Sequence, residues 1–355
     1  MTKKITIALD CMGGDKAPDI VIKGASMVAE KNKNVHFIFY GDASLVDPLL
    51  QKYSIPQDRY SFVHTSETIS NEDKPSVALR RSTKSSMRLA INSLKDGESD
   101  AVVSAGNTGA LMAISKVILR PLSSIDRPAI VTFLPNMQNK ATVMLDMGAN
   151  IDCDADVLYQ FAVMGYVYAK TVLKIKEPKI GLLNVGSEDL KGHDAVKNAA
   201  ILLKESELAN AFYGYVEGDD IAKGTVDVVV TDGFCGNITL KAIEGTAKMI
   251  SGILKKGLSA SICTKIGYLL ASRSLKKVFK TIDPRFYNGA MLVGLNGIVV
   301  KSHGSTDEIG FYNAINVAIS LVEDNINEKI MKEVQSSDLN SVTTPNSATT
   351  TSNIS

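Results

Sequence analysis

Residues 100–114 read Asp100-Ala-Val-Val-Ser-Ala-Gly-Asn-Thr-Gly-Ala-Leu-Met-Ala-Ile114. A short β-branched run ends in Ser104-Ala-Gly-Asn-Thr-Gly109 and passes directly into a helix-forming sequence, so the stretch reads as strand, tight turn and helix start. Open α/β sheets hold anions at such junctions, because unpaired N–H groups and the positive end of the helix dipole converge there. That convergence contributes roughly 0.3 to 2 kcal/mol toward a phosphate or oxyanion before any side chain takes part.

The Gly-x-x-Gly form returns at Gly233-Phe-Cys-Gly-Asn237, again after an apolar run (227–231) and before a helical one. Asn107 with Thr108 and Asn237 with Thr239 occupy matching places. The two turns are therefore either structural connections or parts of one shared pocket. A third copy, Gly294-Leu-Asn-Gly297, sits inside an apolar, strand-like stretch (291–301) and looks different.

Outward from these turns the chain alternates strands and helices. Residues 5–9 read as a strand running into Asp10-Cys-Met-Gly-Gly-Asp15, with Pro18 opening a helix toward residue 32. Gly13, Gly14 and Pro18 fit a strand-to-helix turn at the carboxyl edge of a parallel sheet, where Asp10 and Asp15 either bind a ligand donor or cap the helix. Strands are expected at 35–40, 60–64, 129–134, 141–146 and 179–186, and a long helix at 155–173. The loop Ser187-Glu-Asp-Leu-Lys-Gly-His-Asp194 then brings Lys191 and His193 near Asn184 at a strand's carboxyl end. This alternation predicts an α/β fold with a mostly parallel sheet flanked by helices. The fold is expected to occupy residues 1–335, closed by a helix over 307–334, with 336–355 a disordered Ser/Thr/Asn-rich tail.

Composition narrows the function. The 355 residues carry 39 Lys plus Arg against 38 Asp plus Glu, so no global charge favours nucleic acid. Cys11, Cys153, Cys235 and Cys263 are widely spaced, which predicts reduced cytosolic thiols and neither a zinc site nor a disulfide framework. The short apolar run after the first lysines does not make a signal peptide, and no uncharged stretch reaches the roughly 18 to 20 residues of a membrane span. The four scattered histidines suggest no metal site, and no cofactor is expected. No two glycines are two residues apart, and Gly-x-x-x-x-Gly-Lys-Ser/Thr is missing, which disfavours a standard nicotinamide enzyme and a P-loop ATPase.

Two basic segments suggest partners. Arg80, Lys84 and Arg88, with Arg81 beside them, are expected on one face of a helix opened by Pro75: either a solvated surface or a dock for an acidic partner protein or an anionic cofactor. Residues 245–282 hold eight Lys or Arg and no Asp or Glu, while Ile250, Leu254, Leu258, Ile262, Ile266 and Leu270 recur every fourth residue. This basic amphipathic segment, with Gly257 and Gly267 as its expected breaks, either packs on its own domain or a second subunit, or lies on an anionic bilayer. In the second case Leu254, Lys255, Lys256, Leu258, Lys276 and Lys277 face the membrane, each basic residue contributing about 1 kcal/mol.

Taken together, Ile7-Ala-Leu-Asp-Cys-Met-Gly-Gly-Asp15, Ser104-Ala-Gly-Asn-Thr-Gly-Ala110, Asn184-Val-Gly-Ser-Glu188, Asp232-Gly-Phe-Cys-Gly-Asn237 and His303-Gly304 resemble the bacterial phosphate acyltransferase family, over the chain up to about residue 330. The resemblance implies a phosphotransacetylase-like fold and transfer of a fatty acyl group from acyl-acyl carrier protein to inorganic phosphate in phospholipid synthesis. It further implies a homodimer in the cytoplasm, attached peripherally to the inner face of the membrane and passing product to a membrane glycerol-3-phosphate acyltransferase. Cys11 and Cys235 depart from the small residues expected at their places, which argues against an obligatory thiol nucleophile, and the tail lies outside the family pattern.

Attack of phosphate on a thioester needs a dianion held in line and donors for the developing oxyanion, with no covalent enzyme bond. Lys191 is the expected essential cation, Asn237 a donor and Asp232 an orienting group. Asp10, Gly13, Gly14, Ser104, Gly106, Asn107, Thr108, Gly109, Asn184, Gly233, Gly236 and His303 are expected to line the phosphate and substrate site, although capping or packing also accounts for His303. A short-chain phosphotransacylase using coenzyme A and a non-catalytic membrane scaffold are the competing readings. The first lacks a use for the basic carrier dock, the second for the matching glycine turns.

Overall fold

The apolar run Ile5–Asp10 forms a central strand, β1, buried along nearly its whole length, as a strand covered by helices on both faces must be. The computed structural model describes residues 4–281 and 283–341, with side chains described for all of these except 276–281, 284 and 336–341. After β1 come α1 (Asp19–Lys31), β2 (Val35–Gly41), α2 (Ala43–Lys52), β3 (Tyr60–His64), α3 (Pro75–Arg81), α4 (Ser86–Lys95), β4 (Ala101–Ser104) and α5 (Thr108–Leu119). They are followed by β5 (Ala129–Pro135), β6 (Ala141–Leu145), α6 (Ala155–Val172), β7 (Ile180–Leu183), α7 (Asp194–Lys204), β8 (Phe212–Val216), α8 (Gly218–Lys223) and β9 (Val228–Val230). The remaining elements are α9 (Gly233–Leu258), α10 (Ile262–Thr281), β10 (Ala290–Val293), β11 (Ile298–Lys301), α11 (Glu308–Glu323) and α12 (Ile326–Ser341).

The strands form one 11-stranded sheet in the order β3-β2-β1-β4-β11-β10-β5-β6-β9-β7-β8. Two parallel blocks, β3-β2-β1-β4-β11 and β6-β9-β7-β8, are joined by antiparallel pairings of β10 with β11, β10 with β5, and β5 with β6. An odd number of reversals separates the blocks, so their carboxyl ends point in opposite directions along the sheet. Side chains alternate between two cores. Ile7, Leu9 and Val103 join Phe161 of α6 and Phe311 of α11 on one face, while Ala8 and Val102 join Met87 of α4 and Leu111 of α5 on the other. Fully burying a side chain such as Phe37, Phe161 or Phe311 contributes about 1.5 to 3 kcal/mol.

Several expectations change. The helix opened by Pro75 is broken after Arg81, where Ser82 leaves the helical region and Ser85 caps α4 through its hydroxyl. Arg80 and Arg81 therefore lie on α3, Lys84 in the link and Arg88 on α4, with the Arg88 guanidinium turned back to the Leu79 carbonyl at 2.7 Å. The single basic face is thus divided. Residues 291–301 form a hairpin rather than one strand, and the third Gly-x-x-Gly is its turn, with Gly294 at φ +89. Strand β8, which holds Gly214, has little periodic signal. The helical break in the basic segment falls between Leu258 and Ile262, and Gly267 lies within α10. The helix expected over 307–334 is two helices, α11 and α12, parted at Asn325 (φ 50). Helix α12 extends to Ser341, into the expected tail; residues 342–355 lie outside the described residues.

Candidate active site

β1 and β4 run parallel with Leu9 opposite Val103, so Asp10 and Ser104 end side by side. The Asp10 carboxylate is buried and accepts the Ser86 and Ser104 hydroxyls, both at 2.6 Å, and the Met12 N–H at 3.2 Å. Burial pushes its pKa up, and these donors pull it back. Gly13 packs directly on the neighbouring turn: a Cβ there would stand 2.5 Å from the Gly106 nitrogen and 2.6 Å from Asp10 Oδ2. Gly14 (φ +105) faces the Gly304 carbonyl, and the Asp15 N–H donates to that same oxygen at 2.9 Å. The backbones that follow β1, β4 and β11 thus converge at one place.

This geometry corrects three expected ligand contacts. Asp10 and Ser104 are buried against each other, and the Ser104 hydroxyl also accepts the Gly106 N–H at 3.1 Å; they shape the turn from beneath. Asn107 caps α5 by accepting the Ala110 N–H at 3.0 Å, and its amide nitrogen donates to the carbonyls of Ser70, Asn71 and Asp73. Its side chain binds a loop and is not available to a ligand. Asp15 does not cap α1; its carboxylate accepts the Asn71 amide at 3.2 Å. Gly106 packs under Met87 and Gly109 against Pro75, where a Cβ would meet each at 2.7 Å. What remains open is Thr108, exposed at the first turn of α5, with the backbone donors that every helix N-terminus leaves over.

The second turn uses the same device. Asp146, just after β6, is buried and accepts the N–H groups of Ile130, Ala149 and Asn150, and the Asn150 amide at 2.9 Å. Asn150 in turn receives the Gly233 N–H at 2.6 Å, and Gly236 lies against the Asp146 carbonyl with no room for a Cβ. Asp232 caps α9 by accepting the Cys235 N–H at 2.8 Å. Asn237 is exposed one turn on, next to Gly148 (φ +125). The Cys235 thiol is pushed up to about 11, by burial first and by the Asp232 carboxylate, which keeps it protonated at neutral pH and poorly nucleophilic. Asp146 and Asn150 were not among the expected site residues, although Asp146-Met-Gly148 echoes the Asp10-Cys-Met-Gly13 run.

β7 lies parallel to β9, with Leu182 opposite Val230, so the loop carrying Lys191 leaves the sheet beside the Asp232 turn. Asn184 closes this loop by donating to the carbonyls of Gly186 and Lys191, both at 3.1 Å. Lys191 is exposed, and its ammonium rests on Glu188 at 2.9 Å. No hydrogen bond among the described residues joins it to Asn237.

The two glycine turns are likewise not hydrogen-bonded to each other; helix α9 connects their surroundings. Asn237, Lys241 and Glu244 follow helical spacing along one side of α9. Glu244 reaches within 3.8 Å of His303 Nε2 and within 3.0 Å of Lys241 Nζ, and these partners, the imidazole foremost, hold its carboxyl at about 2. His303 is fixed from behind: its Nδ1 lies 3.2 Å from the Ser305 N–H, and its own N–H donates to Asn288 Oδ1 at 2.9 Å. Lys301, the last residue of β11, donates through Nζ to the carbonyls of Ala105 and Ser302, and burial pushes its pKa down to about 8. Lys241, Glu244 and Lys301 carry no local motif; only the crossing of α9 over the end of β11 joins them.

Much of the α9–α10 pair is exposed and apolar, including Ile253 (63%) and Leu269 (72%). Leu254, Lys255 and Lys256 are exposed and Leu258 is half-buried; Lys276 and Lys277 lie outside the described side chains. No described helix is long and apolar enough to cross a membrane, and no metal-binding cluster of His, Cys, Asp or Glu occurs among the described residues.

Residues 5–329 match the sequence model of a family described as "Fatty acid synthesis protein". The chain is 54% identical over 333 residues to the phosphate acyltransferase of Paramagnetospirillum magneticum, covering 94% of this chain and 95% of that protein. It is 48% identical to the phosphate acyltransferase of Ehrlichia canis, covering 93% and 99%. Among solved structures, a phosphotransacetylase from Streptococcus pyogenes superposes with a TM-score of 0.60 at 19% identity, covering 92% of this chain and 95% of that one. A branched-chain phosphotransacylase from Enterococcus faecalis gives a TM-score of 0.51 at 15% identity, covering 90% and 99%. The shared architecture is phosphotransacetylase-like, and the near-complete sequence match places this chain in the phosphate acyltransferase family, as an enzyme of the acyltransferase class.

Proposed function

We propose that this protein transfers a fatty acyl group from acyl-acyl carrier protein to inorganic phosphate, making acyl phosphate for phosphatidic acid synthesis. The observation that carries the reading is the convergence of the backbones after β1, β4 and β11 at Gly13, Gly106 and Gly304, beside the N-terminus of α5. A phosphate oxygen attacks the thioester carbonyl carbon; a C–O bond forms, the C–S bond breaks, and the electron pair leaves on sulfur, which takes a proton from solvent. The backbone donors and Thr108 favour the dianion, while Asn237 and Lys191 stabilise the charge that develops on oxygen and sulfur. The high pKa of the Cys235 thiol supports direct attack rather than an acyl-enzyme.

The carrier is acidic, and the exposed Arg80, Arg81 and Lys84 offer it a basic landing, with Arg88 bracing the α3–α4 corner. The exposed apolar residues of α9 and α10 support a homodimer contact and attachment to an anionic membrane, where product passes to a glycerol-3-phosphate acyltransferase. The protein then works on the cytoplasmic face of the membrane.

The test is acyl phosphate formation from long-chain acyl-acyl carrier protein and inorganic phosphate, trapped with hydroxylamine. A phosphate-dependent hydroxamate is expected. A signal with acyl-coenzyme A alone would transfer the assignment to a short-chain phosphotransacylase. Silence with both donors would overturn it.

A further inference from the structure

Lys301 ends a central strand, flanked by β4 and β10, where its neighbours Val299 and Val300 are buried and apolar. Register places it opposite Ser104, so the ammonium arises at the base of the Ala105–Gly109 turn. Two of its N–H donors go to the carbonyls of Ala105 and Ser302; the third has no acceptor among the described residues. No carboxylate among the described residues lies in salt-bridge range of Nζ. Asp10 and Asp15 attract it from the turn after β1 without pairing, and Lys241 on α9 repels it. Asp10 already accepts two hydroxyls and an N–H. A half-buried cation without a counter-ion is costly, and the cost falls if an anion arrives as its partner.

We propose that Lys301 is a substrate-binding cation that holds the phosphate acceptor against the α5 N-terminus, an inference that rests on the phosphate acyltransfer reading. Lys191, on the loop after β7 and already paired with Glu188, then serves the reacting carbonyl or the departing thiolate. The site has two cations with separate tasks: Lys301 binds the acceptor and Lys191 answers the charge of the transition state. Bound phosphate favours the charged ammonium, so it raises the pKa of Lys301.

The experiment compares wild type, Lys301→Met and Lys301→Arg in calorimetric titration with inorganic phosphate alone, and in steady-state kinetics. Methionine keeps the length and removes the charge, and arginine keeps the charge through the alkaline range. In Lys301→Met, phosphate affinity should fall by about 30- to 100-fold, on the scale of a lost charged contact, with phosphate KM rising in parallel and the donor KM nearly unchanged. In wild type, phosphate affinity should weaken as pH rises through about 8, because Nζ loses its proton there; Asp10, Asp15 and Lys241 are the charged groups that face it. Lys301→Arg should bind phosphate and lose that alkaline limb. Wild-type phosphate affinity in a folded Lys301→Met protein would overturn the proposal. So would equal losses for both substrates that accompany a lower melting temperature and are not restored by arginine. Failure of the broader reading looks different: wild type would then form no acyl phosphate from any thioester donor.

Discussion

Glu244 of α9 stands 3.8 Å from His303, which follows β11, and this pair joins the two parallel blocks of the sheet across their opposed carboxyl ends. The His303 ring is held by Ser305 and its backbone N–H by Asn288, and Glu244 is held by Lys241, so each partner is oriented from its own side. A helix that begins at one glycine turn therefore carries its side chains to the other.

The pair gives a pH prediction. Glu244 has its carboxyl lowered from 4.5 to about 2 in the folded protein, so its stabilising contribution is fully present above the unfolded pKa and is lost as pH falls through about 2. Urea denaturation of wild type and Glu244→Gln should differ by about 1 kcal/mol at pH 6 and converge as the medium is acidified from about 4.5 to 2. A difference that stays constant over that interval would show that the charge of Glu244 contributes nothing to folding.

Gly13→Ala tests the convergence of turns. The added methyl meets the Gly106 backbone and Asp10 Oδ2, neither of which moves freely, so a loss of about 1 to 3 kcal/mol is expected together with a collapse in turnover. Gly245→Ala is the control: nothing lies within 4 Å of its Cβ, and helix propensity favours alanine by up to about 1 kcal/mol. Equal behaviour of the two variants in chemical denaturation would contradict the packing described.

Lys191→Ala and Asn237→Ala remove exposed side chains and should leave the melting temperature near wild type while lowering kcat by about 100-fold each, the scale of one oxyanion donor. The measurement is hydroxamate release under saturating phosphate and donor. Near-normal turnover in both would remove them from the chemistry.

Replacing Lys255, Lys256, Lys276 and Lys277 with Glu should abolish sedimentation with anionic vesicles, since each cation near such a surface contributes about 1 kcal/mol and each reversal adds repulsion. Hydroxamate formation from soluble substrates should persist. Undiminished vesicle binding would assign the exposed apolar face of α9 and α10 to a protein partner.

Local sequence determined most of the strands and the two strand-to-helix glycine turns, but not where the Pro75 and 307–334 helices break or that 291–301 folds back as a hairpin. β-branched runs such as Ala101–Ser104 and Val228–Val230 read as buried strands, and Gly-x-x-Gly before a helical run reads as a strand-to-helix turn, because both signals reside in neighbouring residues. The motifs also identified the family. Tertiary structure alone decided which side chains remain open to a ligand. Asn107 is a plausible phosphate donor by sequence, yet its amide is bound by the carbonyls of residues 70, 71 and 73, which no spacing rule brings near it. Asp10 and Ser104 face each other because β1 and β4 are adjacent in the sheet, while Arg80 and Arg88 part because Ser82 leaves the helix. Lys301 reads as the end of an apolar strand until β4 and α9 are placed beside it. Backbone propensity is a property of a few adjacent residues, whereas a charge acquires its role from partners that strand order and helix crossing bring from far along the chain.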